Sequence, residues 1–392
     1  MDDFDFFEPN PLAEDIVSTK PSARNKYKNE YEKSFWERAA YNKKVIVGVV
    51  LLLFILLLTF LNPIFNPHTY SEQDVRFTNV SPILHITKIA PGSYIHVNRA
   101  LHVINVSEDG HLLSVPAEVN SNTSVMNFCY NIDGNIVSVK FDKNKKIIVS
   151  VNGKPVPIKD QKTVWNKSYW LGTDSLGRDM LARVFYGARI SLYVGIFSAL
   201  IASILGSVYG GIAGYSNRRV GEFMMRIIDV IDSVPFILIV ILLMMVISPS
   251  LKTVVLTIGM VYWTSVARQV RGQILSLKER EFILAARVLG VPKYKIIFNH
   301  LIPNSIVQII IAMTVDVPTA IFSEAFLSFL GLGVRIPKAS LGSLTSDAID
   351  CIRIFSYQVF IPGLAIALIV YSFNILGDGL QQILNPEKKY VN

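Results

Sequence analysis

The sequence predicts an all-α polytopic membrane protein of six transmembrane helices, with an inserted β-rich extracytoplasmic domain. Three observations carry this. Charged residues are only 17% of the 392-residue chain, against 51% hydrophobic, where ordinary soluble domains carry about 25% charge. Uncharged runs recur at the length of a bilayer core, which takes about 20 residues of helix. Between the first and second of these runs, the apolar period changes from helical to alternating. Disorder is excluded by the apolar content, and a disulfide scaffold by the presence of only Cys129 and Cys351.

The first span reads from Val45 to Leu61 without a charge, continued to Phe65. It starts too late and runs too long for a cleaved leader. Four more uncharged runs follow: Ile190–Tyr215, Ser233–Ser250, Thr253–Ala267 and Ile354–Gly377. The sixth, Ser305–Leu330, contains Asp316 and Glu324 as its only charges. A buried core helix explains any one of these runs but not six in one chain. The loops after the second and fourth spans hold ten Lys and Arg (Arg218, Arg219, Arg226, Arg268, Arg271, Lys278, Arg280, Arg287, Lys293 and Lys295), against four in the opposite short loops. Cationic loops stay in the cytoplasm, so both termini are expected there. Most of the formal charge of +8 is therefore a topology signal, and nucleic acid is not an expected partner.

The expected layout is a cytoplasmic tail over 1–44, the first span over 45–65, an extracytoplasmic insert over 66–165, a membrane core over 166–386 and a cytoplasmic end over 387–392. Residues 1–15 are acidic. The aromatic and lysine spacing that follows, ending in Lys43 and Lys44, fits either an amphipathic helix on anionic lipid or a solvated lead-in. From Ser81 to Ile158 the chain reads as short strands: Tyr94–Val106, His111–Val115, Val125–Ile132, Asn135–Phe141 and Ile147–Val151. Asp133-Gly134 and Asn152-Gly153 sit at hairpin positions. His85, His96, His102 and His111 are too scattered for a metal site, and no catalytic or cofactor-binding constellation is found.

Ser276–Ile302 (SLKEREFILAARVLGVPKYKIIFNHLI) is the most informative loop. Ser276 and Glu279 have capping-box spacing, Gly290 supplies a left-handed stop and Pro292 suits a second helix start. The result is a helix–turn–helix elbow, with Ala285 and Ala286 offering a bare surface for close approach. Asp316 lies mid-span, where a charge costs at least ~2.5–3.5 kcal/mol. It reads as lining a translocation path or as internal helix glue, and so does Glu324. Asp174, Arg178 and Asp179 precede the second span, where they either order an outer gate or cap the helix Met180–Arg189. Asp229 and Asp232 read as interfacial. Gly206, Gly210, Gly211 and Gly214 give small faces suggestive of contact within a permease pair.

The elbow resembles the EAA loop of ATP-binding-cassette importer permeases. Four further stretches are similar to the C-type permease of dipeptide and oligopeptide importers: WLGTDSLGRDMLARVFYGARISLYVG at Trp170–Gly195, RIIDVIDSVP at Arg226–Pro235, SEAFLSFLGLGV at Ser323–Val334 and FNILGDGL at Phe373–Leu380. This resemblance covers most of residues 165–386. It implies a type I importer permease fold in the cytoplasmic (inner) membrane, without ATP hydrolysis of its own, since no GxxxxGK[ST] occurs. It further implies a second homologous permease, two cytoplasmic ATP-binding subunits, an extracytoplasmic substrate-binding protein, and peptides as substrates; nickel or another small solute is the alternative within the family. A secondary transporter or a membrane-anchored sensor fits fewer features. On the family's pattern, Leu284, Ala285, Ala286, Arg287, Gly290 and Pro292 form the ATPase-coupling loop. Leu284 departs from the acid usual there, Ala182 from a usual Ser, and Gln382 and Asn385 from a frequent Asp. The insert is longer than the family's usual outer loop.

Overall fold

The computed structural model describes residues 35–384 except 99–100, 123–126, 142–146, 157–160, 248–249 and 335–337. The reading of residues 1–34 and 387–392 lies outside them. Helix α1 (Phe35–Tyr41) leads directly into α2 (Lys43–Phe65), whose start is capped by the Asn42 side chain accepting from the Lys44 and Val45 backbone N–H groups. Most of α2 is exposed along its length, as a lipid-facing helix must be. It packs on α10 (Tyr357–Leu384) at a glycine crossing. A Cβ on Gly48 would stand 2.8 Å from the Leu376 amide nitrogen, and one on Gly379 would stand 2.8 Å from that of Val45.

The amphipathic Met180–Arg189 segment and the second span form one helix, α3 (Met180–Tyr215), of 36 residues. No proline interrupts it, and at 1.5 Å per residue it is about 54 Å long, well beyond a bilayer core. The third span is broken. Helix α4 (Arg218–Asp232) and α5 (Phe236–Val246) meet at an 80° bend, because Pro235 cannot continue a helix through its missing N–H. Helix α6 (Leu251–Leu277) runs ten residues past the expected Ala267 end. Ser276 therefore lies inside its last turn, and the expected capping box does not form: the Lys278 N–H is already bonded to the Ile274 carbonyl at 2.9 Å. Helix α7 (Glu281–Val288) starts instead after Arg280. Then come α8 (Ile306–Phe329), the short α9 (Leu341–Asp347) and α10.

Among the described residues, α2, α3, α8 and α10 are each long and apolar enough to cross a membrane, and the bent α4–α5 pair is a fifth candidate. Helix α6 is outside that set, since it carries Lys252, Arg268 and Arg271. The glycine face of α3 is used inside the chain. A Cβ at Gly206 would lie 2.5 Å from the Val266 Cβ, at Gly210 2.4 Å from the Ala267 carbonyl oxygen, and at Gly214 2.8 Å from the Ile274 Cβ. Gly211 faces Ile297 and Ile302 in the same way. These glycines seat α3 on α6 and on the elbow rather than on a second permease, which corrects the expectation.

The insert is a pair of five-stranded antiparallel sheets, ordered β10-β1-β2-β3-β4 and β5-β6-β7-β8-β9. Its strands are β1 (Ile83–Ala90), β2 (Ser93–Val97), β3 (Val103–Val106), β4 (Leu112–Ser114), β5 (Glu118–Asn122), β6 (Asn127–Ile132), β7 (Asn135–Phe141), β8 (Ile147–Val151), β9 (Lys154–Pro155) and β10 (Gln161–Trp165). Asp133, Gly134, Asn152 and Gly153 all have positive φ, as two-residue turns of the right twist require. The expected run Tyr94–Val106 is a hairpin, not one strand. Strand β10 returns to pair with β1, Ile83 opposite Trp165, so the insert is closed by its own two ends. One face of the first sheet packs Ile95, Leu101 and Val103 against Tyr130, Val137 and Val139 of the second; its other face covers Phe77, Val80 and Tyr169. Cys129 and Cys351 are both free. Among the described residues, no group of His, Cys, Asp and Glu could hold a metal ion.

Candidate functional site: the elbow and the buried charges

The elbow is built on a left-handed stop. Gly290 has φ +75, its N–H donates to the Arg287 carbonyl at 3.0 Å, and the Val291 N–H reaches back to that of Ala286 at 3.0 Å. This bond pair is a Schellman motif, which only a residue tolerant of positive φ can complete. Pro292 then caps Lys293–Lys295, and a π-helical turn over Ile296–Leu301 leads through Ile302–Asn304 into α8. The inner face is a core: Ile283 and Ala286 pack with Val270, Ile274, Ile296, Ile297 and Leu301. The outer face is apolar and bare, with Leu284 47%, Val288 88% and Leu289 82% exposed. Ala285 lies on the open side, but Ala286 is buried, so only one of the pair offers the surface expected of both. Arg287 stacks over the Tyr215 ring at 5.0 Å, linking the elbow to the end of α3.

Asp229 and Asp232 turn out to be paired. The Arg268 guanidinium donates to Asp229 at 2.8 Å and to Asp232 at 2.6 Å, tying the bent third span to α6. Sequence reading missed this pairing, because Arg268 lies 39 and 36 residues from the two acids in the chain.

Asp316 is buried on α8, and its Oδ2 has no hydrogen-bond partner among the described residues. On the same helix, Ser323 bonds the Tyr262 hydroxyl of α6 at 2.7 Å. Glu324 has no exposed surface. It accepts from the hydroxyls of Ser340 (2.6 Å), Ser328 (2.7 Å) and Ser191 (3.3 Å). In this conformation Glu324 binds three elements together and lines no open path.

The loop before α3 is equally knotted. Asp174 accepts from the backbone of Leu176 and Arg178, from the Arg178 side chain at 2.7 Å, and from Arg183. Asp179 caps α3 through the N–H groups of Leu181 and Ala182 and accepts from the Asn66 amide at 2.5 Å. Burial pushes its carboxyl above the usual range, against the pull of those bonds. Asp174, Arg178 and Asp179 are all buried, so sequence position brought the right residues together but gave no sign of the second cation, Arg183.

Two family models match this chain. Residues 202–390 fit the binding-protein-dependent transport system inner membrane component, and residues 31–82 fit the N-terminal TM domain of oligopeptide transport permease C. The dipeptide transport system permease protein of Bacillus subtilis (strain 168) is 46% identical over 220 residues, 56% of this chain and 69% of that one. The chain belongs to this permease family. The oligopeptide transport system permease proteins of the same organism and of Haemophilus influenzae are 42% and 38% identical, with 73% and 82% of their lengths covered and 57% and 62% of this chain. A structure of the MetNI methionine ABC transporter aligns with TM-score 0.45 at 18% identity, covering 52% of this chain and 97% of that one. The relatives are permease subunits of ABC transporters, not enzymes, and such subunits work with ATP-binding and substrate-binding partners. The two family matches leave out residues 83–201, which contain all ten strands.

Proposed function

We propose that the chain is a six-span permease subunit of a type I ABC importer and forms half of a translocation path for peptides. In this reading α6 is the remaining span, both termini are cytoplasmic, and residues 66–165 face outward. The complex contains a second homologous permease, two ATP-binding subunits and a substrate-binding protein that delivers the peptide. The observation that carries the proposal is the elbow: a rigid core on one side, and on the other an apolar face formed by Leu284, Val288 and Leu289. An exposed apolar patch of this kind marks a surface that something covers, and ATP-binding subunits are the partners this family uses.

The mechanism follows from the attachments of the elbow. Its buried face is continuous with α6, and Arg287, Ile297 and Ile302 press on Tyr215 and Gly211 of α3. Movement of an ATP-binding subunit against Leu284, Ala285, Val288 and Leu289 is thus delivered to both helices at once. Asp316 is assigned to the path, where a substrate ammonium group answers its unpartnered oxygen. Asp174, Arg178, Asp179 and Glu324 are assigned to the outer gate. Substituting Leu284→Asp or Val288→Asp and co-purifying the ATP-binding subunits tests the docking assignment. Loss of the partners with the permease still folded is expected, and undiminished co-purification overturns it.

A further inference from the structure

The short helix α9 is wedged between α3 and α8 on the insert side of the membrane region and is held at both ends by charged residues. At its start, Ser340 is the N-cap: its hydroxyl accepts from the Ser343 N–H at 3.0 Å and donates to Glu324 at 2.6 Å. The Ser191 hydroxyl of α3 donates to the same carboxylate and accepts from the Leu341 N–H at 3.1 Å. Contact here is backbone to backbone. A Cβ on Gly342 would lie 2.3 Å from the Ala325 Cα, and one on Gly187 would lie 3.0 Å from the Ser340 carbonyl carbon. Leu341 and Leu344 are fully buried with Val184, Leu192 and Ile321. At its end, Asp347 faces the Arg183 guanidinium at 3.7 Å, and Arg183 is itself held by Asp174.

Two features make this arrangement separable. Glu324 has no cationic partner among the described residues and is held by hydroxyls alone, so no buried ion pair has to be parted at that end. The Asp347 side chain is 53% exposed, and water is ready to solvate it once released. Beside it is a cavity of about 470 Å³ lined by Asp174, Arg178, Arg183, Leu344, Asp347 and Asp350, so the helix is tightly packed on one side and has room on the other.

We infer that α9 is the outer plug of the permease, latched shut by Glu324 at its start and by Arg183–Asp347 at its end. The inference rests on the importer reading above. Opening the path outward moves α3 with the elbow, breaks the hydroxyl cage around Glu324 and slides Leu344 out of its pocket toward the cavity. Glu324 and Arg183 are positioning residues: they hold the plug and touch no substrate.

The test is reactivity of a buried thiol. Leu344→Cys is made in a Cys129→Ser, Cys351→Ser background, in the full complex with its ATP-binding and substrate-binding partners, and probed from outside with a membrane-impermeant maleimide. Leu84→Cys, buried in the insert, is the static control. Trapping with ATP and vanadate is expected to speed Leu344→Cys labelling about tenfold or more and to leave Leu84→Cys unchanged. Glu324→Gln, which keeps the volume, and Asp347→Asn, which is exposed and safe for folding, are expected to raise the resting rate. For Glu324→Gln the rise is roughly ten- to hundredfold, the worth of hydrogen bonds to a charged group. Equal protection of Leu344→Cys in resting and trapped complexes that still take up peptide overturns the plug alone. Resting rates unmoved by both substitutions overturn the latch. Absence of ATP-dependent uptake in the parent complex overturns the importer reading and takes the plug with it.

Discussion

Replacing Gly290 isolates one physical quantity. A Cβ at this position meets nothing within 4 Å, so a substitution brings no clash and its whole cost is the left-handed backbone at φ +75. That cost is roughly 1–2 kcal/mol for an ordinary residue, smaller for Asn, which tolerates this region, and largest for a β-branched side chain. If the residue escapes to negative φ, the Gly290 and Val291 N–H bonds are lost together and α7 frays. A cost of about 2 kcal/mol shifts the balance toward the frayed elbow about 30-fold. ATP-driven uptake in reconstituted vesicles is therefore expected to fall in the order Gly, Asn, Ala, Val, while the yield of folded, membrane-inserted chain stays at the parental level. Uptake at the parental rate by Gly290→Val, or an Asn variant worse than the Val variant, refutes the reasoning.

Three further outcomes follow from the packing and the charges. Gly210→Val forces a side chain against the Ala267 carbonyl, where a Cβ already stands 2.4 Å away; it is expected to lower the thermal midpoint in detergent by an amount corresponding to about 1–3 kcal/mol or to abolish folding, whereas Gly363→Ala, with open space around it, is expected to do neither. Arg268→Ala removes two exposed ion pairs with Asp229 and Asp232, each worth roughly 0.2–1 kcal/mol, so the midpoint is expected to move little, and a large drop contradicts that valuation. Burial holds the His96 imidazole down to about 4. The folded insert then binds fewer protons than the unfolded one between pH 4 and 6.5, and its stability falls as pH falls through that window, by about 3 kcal/mol in total. Hydrogen exchange of strands β1–β3 in the full chain is expected to accelerate accordingly, and a flat profile contradicts it.

Four of the spans, α2, α3, α8 and α10, were legible because lipid demands continuous apolar helix, and the hairpins of the second sheet were legible because Asp-Gly and Asn-Gly demand positive φ. The misses have physical reasons. Strand β10, QKTVW, is an exposed edge with no apolar alternation, and only its pairing with β1 makes it a strand. Capping-box spacing at Ser276 was overridden by the helix ladder of α6, which carries through to Lys278. The α3 glycines announced close packing without saying against what, since a small face fits a neighbour in the same chain as well as one outside it. At the buried charges, the sequence showed the acids and the motif around Asp174, Arg178 and Asp179. The partners Arg183 and Ser191, both on α3, and Ser340, the N-cap of α9, carry no local signal. For Glu324 the sequence left path lining and internal helix glue both open; its burial under three hydroxyls is a tertiary fact.

The most direct test of the central claim is uptake of a labelled dipeptide or oligopeptide into vesicles containing this chain with its second permease, ATP-binding subunits and substrate-binding protein. The account predicts uptake that requires internal ATP and the binding protein and stops when Val288→Asp disrupts the elbow. Uptake that runs on an ion gradient without ATP, or that persists without the binding protein, would contradict it.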